Sequence, residues 1–391
     1  MLKKSLISLA FGSFAIGMTE FTIMGILQDI ALDQNISIPS AAHLIAIYAL
    51  GVVVGAPTLV LFTSKYQPKN VLLFLMLLFV LFNSLFAVMP DYNSLMITRF
   101  LSGLPHGAFF GVGSVVATQL ATKGKEAQAI SIMFTGMTLA NLFGVPLGTY
   151  IGHHYSWRWT YGIISLCGLA TIATVFFWLP KVANYQAQNM YKQLKYFTTK
   201  EAWILIAMIS IGTGGLFAWM SYISPLMTKV AQLPESHVSY IMALVGLGMV
   251  VGNFLGGRLS DSIGSVRASI VCFSSMAVCL LLVYFTIHIE HLAYFLAFLT
   301  GMISFTIGSP LQITLINSAR GAETLAAAGG QAAFNMGNTL GAYLGGIPIT
   351  FGLAFNSPLL VGIGMATIGA LIAFYYKLLS NKTSLPETAD A

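Results

Sequence analysis

Along the chain, long apolar stretches alternate with short polar connectors. Twelve such stretches run at about 6–30, 40–63, 70–89, 93–120, 127–152, 158–179, 202–226, 236–257, 267–287, 291–315, 323–350 and 357–378. A helix needs roughly 20 apolar residues to cross a bilayer, whereas a barrel strand needs only about 9–11. Lipid offers no hydrogen-bond partner to an open backbone, so the lengths predict twelve transmembrane helices. Proline and glycine inside several stretches fit that reading, because membrane helices tolerate both. The longest connector, "KVANYQAQNMYKQLKYFTTKEA" (Lys181 to Ala202), is polar and basic and splits the spans six and six. The expected organisation is a bundle over 1–180, a linker over 181–201, a second bundle over 202–380 and a tail over 381–391.

The two halves repeat each other. "GVVVGAPTLVLFTSK" (Gly51 to Lys65) aligns with "GMVVGNFLGGRLSDS" (Gly248 to Ser262) at an offset of 197. "GVPLGTYIG" (Gly144 to Gly152) aligns with "GNTLGAYLG" (Gly337 to Gly345) at an offset of 193. Span two therefore corresponds to span eight, and span five to span eleven. Two pseudo-symmetric six-helix bundles with a site between them at the bilayer midplane are a transporter architecture.

Composition narrows the class. Apolar residues make up 57% of the chain and charged residues 8%, against roughly a quarter charged in a soluble domain. That is too few ions to cover a soluble fold of this length, so an all-α integral membrane protein is expected. "MLKKSL" leads into a run of spanning length without a small-residue cleavage pattern, which argues against a cleaved signal peptide. Orientation follows from the basic residues. With an even number of spans both termini share a side. Of 18 Lys and Arg, only Arg158 and Lys229 fall in the opposite loops and Arg99 within a helix. By the positive-inside rule both termini are cytoplasmic, as in a multi-pass plasma (inner) membrane protein. The net charge of +6 is scattered over loops and forms no nucleic-acid patch. Cys167, Cys272 and Cys279 lie in apolar runs and read as packing residues. There is no ATP-binding loop, metal-ligand cluster or nucleophile constellation, so no cofactor, no metal and no enzymatic activity are expected.

The polar residues inside spans carry the chemistry. Glu20 sits in span one within "IGMTEFTIMGIL", where a charge costs at least about 2.5 kcal/mol. Arg99 sits in span four. Helical rise places each about 9 Å from the same membrane face, at matching depth and with opposite sign. Pairing lowers the cost of both. Two readings stand: a permanent structural salt bridge, or an acid that exchanges a proton while Arg99 tunes it. His106, two turns deeper than Arg99 on the same face, is either a hydrogen-bonded packing histidine or a proton relay. Pro105 beside it is expected to bend the helix. Asn141, Gln331, Asn335 and Asn338 must face a partner helix or a cavity. The last three share one face, so they are candidates for substrate contact or for helix–helix glue. Thr19, Met24, Trp219 and Tyr222 complete the candidate cavity, the last two at its mouth. The glycines of spans five and eleven signify close helix packing.

The motifs resemble a known family. "GGRLSDSIGSVR" after span eight matches, through Gly257, Asp261, Gly264 and Arg267, the loop signature of the major facilitator superfamily. "RFLSGLPHGAFFGVG" is similar to that superfamily's span-four motif through Arg99, Gly103 and Gly107. "GVPLGTYIG" resembles its antiporter motif through Gly144, Pro146 and Gly148. With "MTEF" and "SWRW" the set resembles the drug:proton antiporter-1 branch, nearest its arabinose- and sugar-efflux permeases. The resemblance implies a monomeric carrier that exports a sugar, a sugar-like compound or a small drug in exchange for protons. Substrate, protons and the lipid bilayer are then its partners. An uncoupled facilitator or an importer of the same fold is the alternative, because fold does not set direction. One departure stands out: the first-half loop has Ser64 at the acidic position and "KYQPK" in place of the expected Gly and Arg. Any gating interaction of that loop is then left to the copy after span eight.

Overall fold

The computed structural model describes residues 2–63, 65–122, 126–181, 195–319 and 323–383. Ser64, most of the 181–201 linker and residues 384–391 of the tail lie outside the described residues. The architecture is all-helical. In chain order the elements are α1 (Leu2–Gly25), α2 (Leu27–Asp33), α3 (Ile38–Thr63), α4 (Pro68–Val88), α5 (Tyr92–Leu120), α6 (Glu126–Leu139), α7 (Val145–His154) and α8 (Trp157–Trp178) in the first half. The second half holds α9 (Lys200–Met220), α10 (Ser236–Ile263), α11 (Ser265–Thr286), α12 (Glu290–Thr306), α13 (Gly308–Ser318), α14 (Glu323–Thr350) and α15 (Ser357–Thr383).

Eleven helices among the described residues are long and apolar enough to cross a membrane. The twelfth expected span, α14, is an unbroken helix of 28 residues but falls outside that set. Its amides Gln331, Asn335 and Asn338 dilute the apolar content, as suits a helix at the centre of the molecule. Four expected spans are less regular than their hydropathy implied, among them span ten, which breaks at Ile307 between α12 and α13. Span one stops at Gly25 and resumes as α2 after Ile26. Span five is interrupted by a π-helical turn, Ala140–Gly144. Span seven ends at Met220 and is followed by a short turn and a second π segment, Leu226–Val230. Hydropathy reports apolar length and is blind to such changes of winding.

Glycine explains how each half is held together. A Cβ on Gly51 or Gly55 of α3 would strike the carbonyls of Phe100 and Leu104 on α5. The counterparts Gly248 and Gly252 of α10 meet the carbonyls of Phe298 and Met302 on α12 in the same way. Gly144 and Gly148 press on Met18 and Thr22 of α1, and Gly152 on Ile26 just past its end. Their counterparts Gly337, Gly341 and Gly345 press on α9 and the turn after it, at Thr213, Gly214 and Tyr222. The sequence repeat is therefore a repeat of helix pairs. Without a hydrophobic force between helices in lipid, such backbone proximity is what dispersion requires.

Basic residues close the helix ends. Arg158 donates to the carbonyls of Ala87 (3.0 Å) and Met89 (2.8 Å) at the end of α4. Lys69 does the same for Phe176 and Leu179 at the end of α8. Both satisfy carbonyls that a helix leaves open, at the end where its dipole favours a cation.

The halves meet through α3 with α14 and through the α6–α7 rod with α10. The three hydrogen bonds that join the halves among the described residues run from Gln28 to Ser224 (2.9 Å), from Gln28 to Thr228 (2.8 Å) and from Thr339 to the Ala46 carbonyl (3.2 Å). The first two lie at the face opposite the chain termini, hereafter the far face, and the third is displaced toward it. Gly346 also lies close to the Pro39 ring on that side.

Candidate functional site

The site begins with two adjacent residues on α1. Successive helical residues point about 100° apart, so Thr19 and Glu20 face different neighbours. Thr19 looks into the first half. Its hydroxyl donates to Asn83 Oδ1 at 2.6 Å and accepts from Arg99 Nη1 at 2.9 Å. Its carbonyl accepts from Arg99 Nη2 at 2.7 Å. Asn83 is fixed by its own bond to the Phe79 carbonyl at 2.8 Å.

Arg99 is 0% exposed. Its guanidinium lies 4.1 Å from the ring centre of Tyr48 and 5.5 Å from those of Phe86 and Tyr161. A desolvated cation on an aromatic face gains about 2 kcal/mol, and a hydrogen bond to a charged group about 1.5–3 kcal/mol. An aromatic cage and two bonds to Thr19 thus hold the cation inside the protein. Tyr48 carries the arrangement onward, its hydroxyl lying 3.0 Å from His106 Nδ1. His106 is buried against Phe110.

Glu20 points toward the second half. It is 3% exposed, and its Oε1 has no hydrogen-bond partner in the protein. The Arg99 charge acts on it through space and the Asn338 amide lies beside it, but no ion pair joins Glu20 to Arg99. The direct salt bridge that matched depth and sign had suggested is replaced by an indirect link. Arg99 grips the backbone and hydroxyl of the preceding residue, and the carboxylate keeps an oxygen unengaged.

Asn338 of the second half lies beside Glu20, and buried polar atoms without protein partners come from both halves. They include both side-chain polar atoms of Asn338, Oδ1 of Asn335, Nδ2 of Asn141 and Nε1 of Trp219. Asn335 Nδ2 donates to the Gln331 carbonyl at 3.0 Å, while Gln331 is only half-buried. Buried polar groups are ordinarily satisfied. An unsatisfied carboxylate oxygen beside an unsatisfied amide of the opposite bundle is what a site for a hydrogen-bonding solute requires.

The aromatic candidates of span seven lie inside the protein. Tyr222 is fully buried and donates to the Ala342 carbonyl at 2.8 Å, tying the end of span seven to α14. Trp219 is likewise buried and does not open onto a cavity mouth. Met24 is buried in the apolar core, and Gly144, Pro146 and Gly148 sit on the α6–α7 rod against α1. The loop Gly257, Asp261, Gly264 and Arg267 stands apart at the terminal face. Gly264, at φ 84°, makes the turn between α10 and α11. Asp261 and Arg267 are exposed and form no ion pair among the described residues. Asn83, Tyr48, Tyr161, Gln28 and Ser224 were not singled out by sequence. Only Asn83, a lone amide in the run "LLFLMLLFVLFNSLFAV", carried a readable signal.

Comparison with known proteins bears on the family and the fold. The family model described as Major Facilitator Superfamily matches residues 9–332. "Putative transporter AraJ" of Escherichia coli (strain K12) is 43% identical over 91% of this chain and 90% of that protein. "Inner membrane transport protein YdhP" of the same organism is 36% identical over 94% and 95% of the two chains. A "Probable sugar efflux transporter" of Helicobacter pylori (strain ATCC 700392 / 26695) is 28% identical over 95% and 94%. Among solved structures, the nucleoside transporter NupG, solved as a point mutant, superposes with a TM-score of 0.78 at 13% identity, covering 96% of this chain and 100% of that one.

Proposed function

The chain belongs to the major facilitator superfamily and is a membrane transporter, not an enzyme, and from that premise we propose that it exports a sugar or sugar-like solute in exchange for protons, with Glu20 as the proton-carrying group. The observation that carries this reading is the buried carboxylate whose Oε1 has no partner, beside the Asn338 amide of the opposite half, which also has none.

The chemistry of exchange follows from shared occupancy. An ionised carboxylate only accepts hydrogen bonds, and an amide both donates and accepts. A solute hydroxyl satisfies Glu20 Oε1 and Asn338 together when the acid is ionised. A proton on Glu20 removes that acceptor lone pair and releases the solute. Arg99, fastened to Thr19, keeps its charge near the acid throughout. The relative named as a probable sugar efflux transporter supports a hydroxyl-rich substrate, and the Lys and Arg asymmetry supports a cytoplasmic terminal face in an inner membrane. Hydrogen bonds join the halves at the far face, which supports loading from the terminal face, the side from which an exporter takes its substrate.

The test uses everted vesicles. Substrate screened from a sugar panel is accumulated against its gradient when the interior is acidified, and a pH dye reports the counter-flow of protons. Glu20→Gln, an uncharged stand-in for the protonated acid, is expected to bind substrate more weakly than the ionised parent and to lose gradient-driven accumulation. Undiminished, pH-dependent accumulation by Glu20→Gln refutes Glu20 as carrier. Accumulation indifferent to the proton gradient in the parent refutes exchange altogether.

A further inference from the structure

A groove on the second half, remote from Glu20, has the form of a lipid site. Its upper part is a cavity of about 450 Å³ between α10, α11 and α12, lined by Leu255, Arg258, Val271, Ser275, Met302 and Ile303 among others. A second cavity of about 350 Å³ shares Ser275 and Ile303 and continues between α11 and α12 past Val278 to Leu282 and Leu299. The two are one trough. Val271, Val278 and Leu282 are 45%, 57% and 47% exposed, so its wall is open on the bilayer side.

Depth gives the trough its polarity. α10 has 28 residues, about 42 Å at 1.5 Å per residue, so it overreaches a core of roughly 30 Å. Arg258 lies five residues before its end at Ile263, about 8 Å in. This is headgroup level. Leu282 lies 17 residues past Ser265, about 26 Å down the neighbouring helix. The trough thus starts at the headgroups and extends below a full leaflet.

Charge completes the fit. Arg258 shares one helical face with Leu255, Leu259 and Ser262, all of which line the upper cavity. Arg267 heads the α11 stripe that continues through Val271, Ser275, Val278 and Leu282. Both arginines are exposed, and neither forms an ion pair among the described residues. The nearby acid, Asp261, offsets one of the two. A net positive charge therefore sits at the head of an apolar trough at bilayer-interface depth. We propose that this trough binds one anionic phospholipid of the terminal-face leaflet, its phosphate at Arg258 and Arg267 and one acyl chain along Val271, Val278 and Leu282. The hydrocarbon is held by dispersion and the headgroup by charge, a combination that separates anionic from zwitterionic lipids of equal chain length.

The experiment is native mass spectrometry of the full-length, delipidated protein titrated with phosphatidylglycerol or with phosphatidylcholine of identical chains. The parent is expected to retain one phosphatidylglycerol at a concentration about fivefold lower than it needs for phosphatidylcholine, the contribution of one arginine near an anionic group. Arg258→Gln should bring the two lipids level, and Arg258→Lys should restore most of the difference. Ser275→Trp, which fills the junction of the two cavities, should weaken both lipids. Cooperative melting of each variant verifies the fold. Excess inorganic phosphate should not displace the lipid; displacement would assign the site to free phosphate and overturn the proposal. Equal retention of the two lipids by the parent, or an unchanged difference in Arg258→Gln, overturns it as well.

Discussion

Gln28 offers the sharpest test of how the two halves are held. It is buried at the end of span one, and its single amide nitrogen reaches both Ser224 (2.9 Å) and Thr228 (2.8 Å) on the other half. A neutral hydrogen bond contributes about 0.5–1.5 kcal/mol net. Removing two of them in Gln28→Ala should therefore cost the far-face-closed state about 1–3 kcal/mol relative to any state in which the halves part there. That is roughly a 5- to 150-fold change in the ratio of closed to open molecules. Spin labels at Leu32 and Glu235, both exposed on the far face, would report it by double electron–electron resonance as growth of a long-distance population. Ser224→Ala removes only one of the bonds and should yield a smaller change in free energy, about half. Thr228→Val should do likewise. The reasoning fails if Gln28→Ala, still folded, gives a distance distribution superimposable on the parent's. It fails equally if Ser224→Ala moves the population more than Gln28→Ala.

Three further expectations follow from the structure. Asn338→Ala should weaken solute binding about tenfold, the worth of about 1.4 kcal/mol, while substrate-free proton exchange persists; isothermal titration and the pH dye separate the two. Gly246→Ala places a methyl group on the Asn141 carbonyl, so the α10 contact with the π turn must separate, and the same far-face labels should show broadened distances with a stability loss of about 1–3 kcal/mol. Asp33 is a pH reporter outside the spans: burial alone raises its pKa, but bonds from Gln34, Trp157 and Arg158 and the Arg158 charge outweigh this and hold it below the usual carboxylate range. A depressed folded pKa contributes stability above the unfolded value of about 3.9, lost as pH falls through the lower folded value. Asp33→Asn should therefore melt slightly below the parent at pH 7, by less than about 1 kcal/mol because the pair is partly exposed, and match it in strong acid; a deficit independent of pH would contradict this.

Much of the fold was legible because lipid imposes one strong rule. A helix must be long and apolar to cross, and the repeat of Gly51 and Gly55 in Gly248 and Gly252 marks where backbones touch. The same sequence signal located Glu20 and Arg99 at one depth. It could not show that Arg99 would grip Thr19 in preference to its neighbour, since that depends on which way two adjacent side chains point around α1. Nor did it expose the cage. Tyr48, Phe86 and Tyr161 look like any aromatic in an apolar run, and only the packing of α3 and α4 on α5 and of α8 on α4 turns them inward. Trp219 and Tyr222 were expected at a cavity mouth from their place near the end of span seven; sequence could not show that both are buried and that Tyr222 is tied to the Ala342 carbonyl of α14. Gln28 and Ser224 were invisible because each is an ordinary polar residue until the halves meet.

The π turn at Ala140–Gly144 has a consequence for phase. Small residues at every fourth position drift about 40° around an ordinary helix per step, because four residues turn it about 400°. From Gly136 through Ala140, Gly144 and Gly148 to Gly152 the drift would total about 160°, enough to carry the last two glycines to the far side of the rod. The one surplus residue in a π turn gives back about 100°. All five small positions therefore stay against α1 and the residue just past its end, where Ala10, Gly17, Met18, Thr22 and Ile26 await them. A chain one residue shorter here would still wind into a sound helix and still cross the membrane. It would present the wrong stripe to its partner, so at this point the closeness of α1 to its neighbour is governed by residue count and not by residue type.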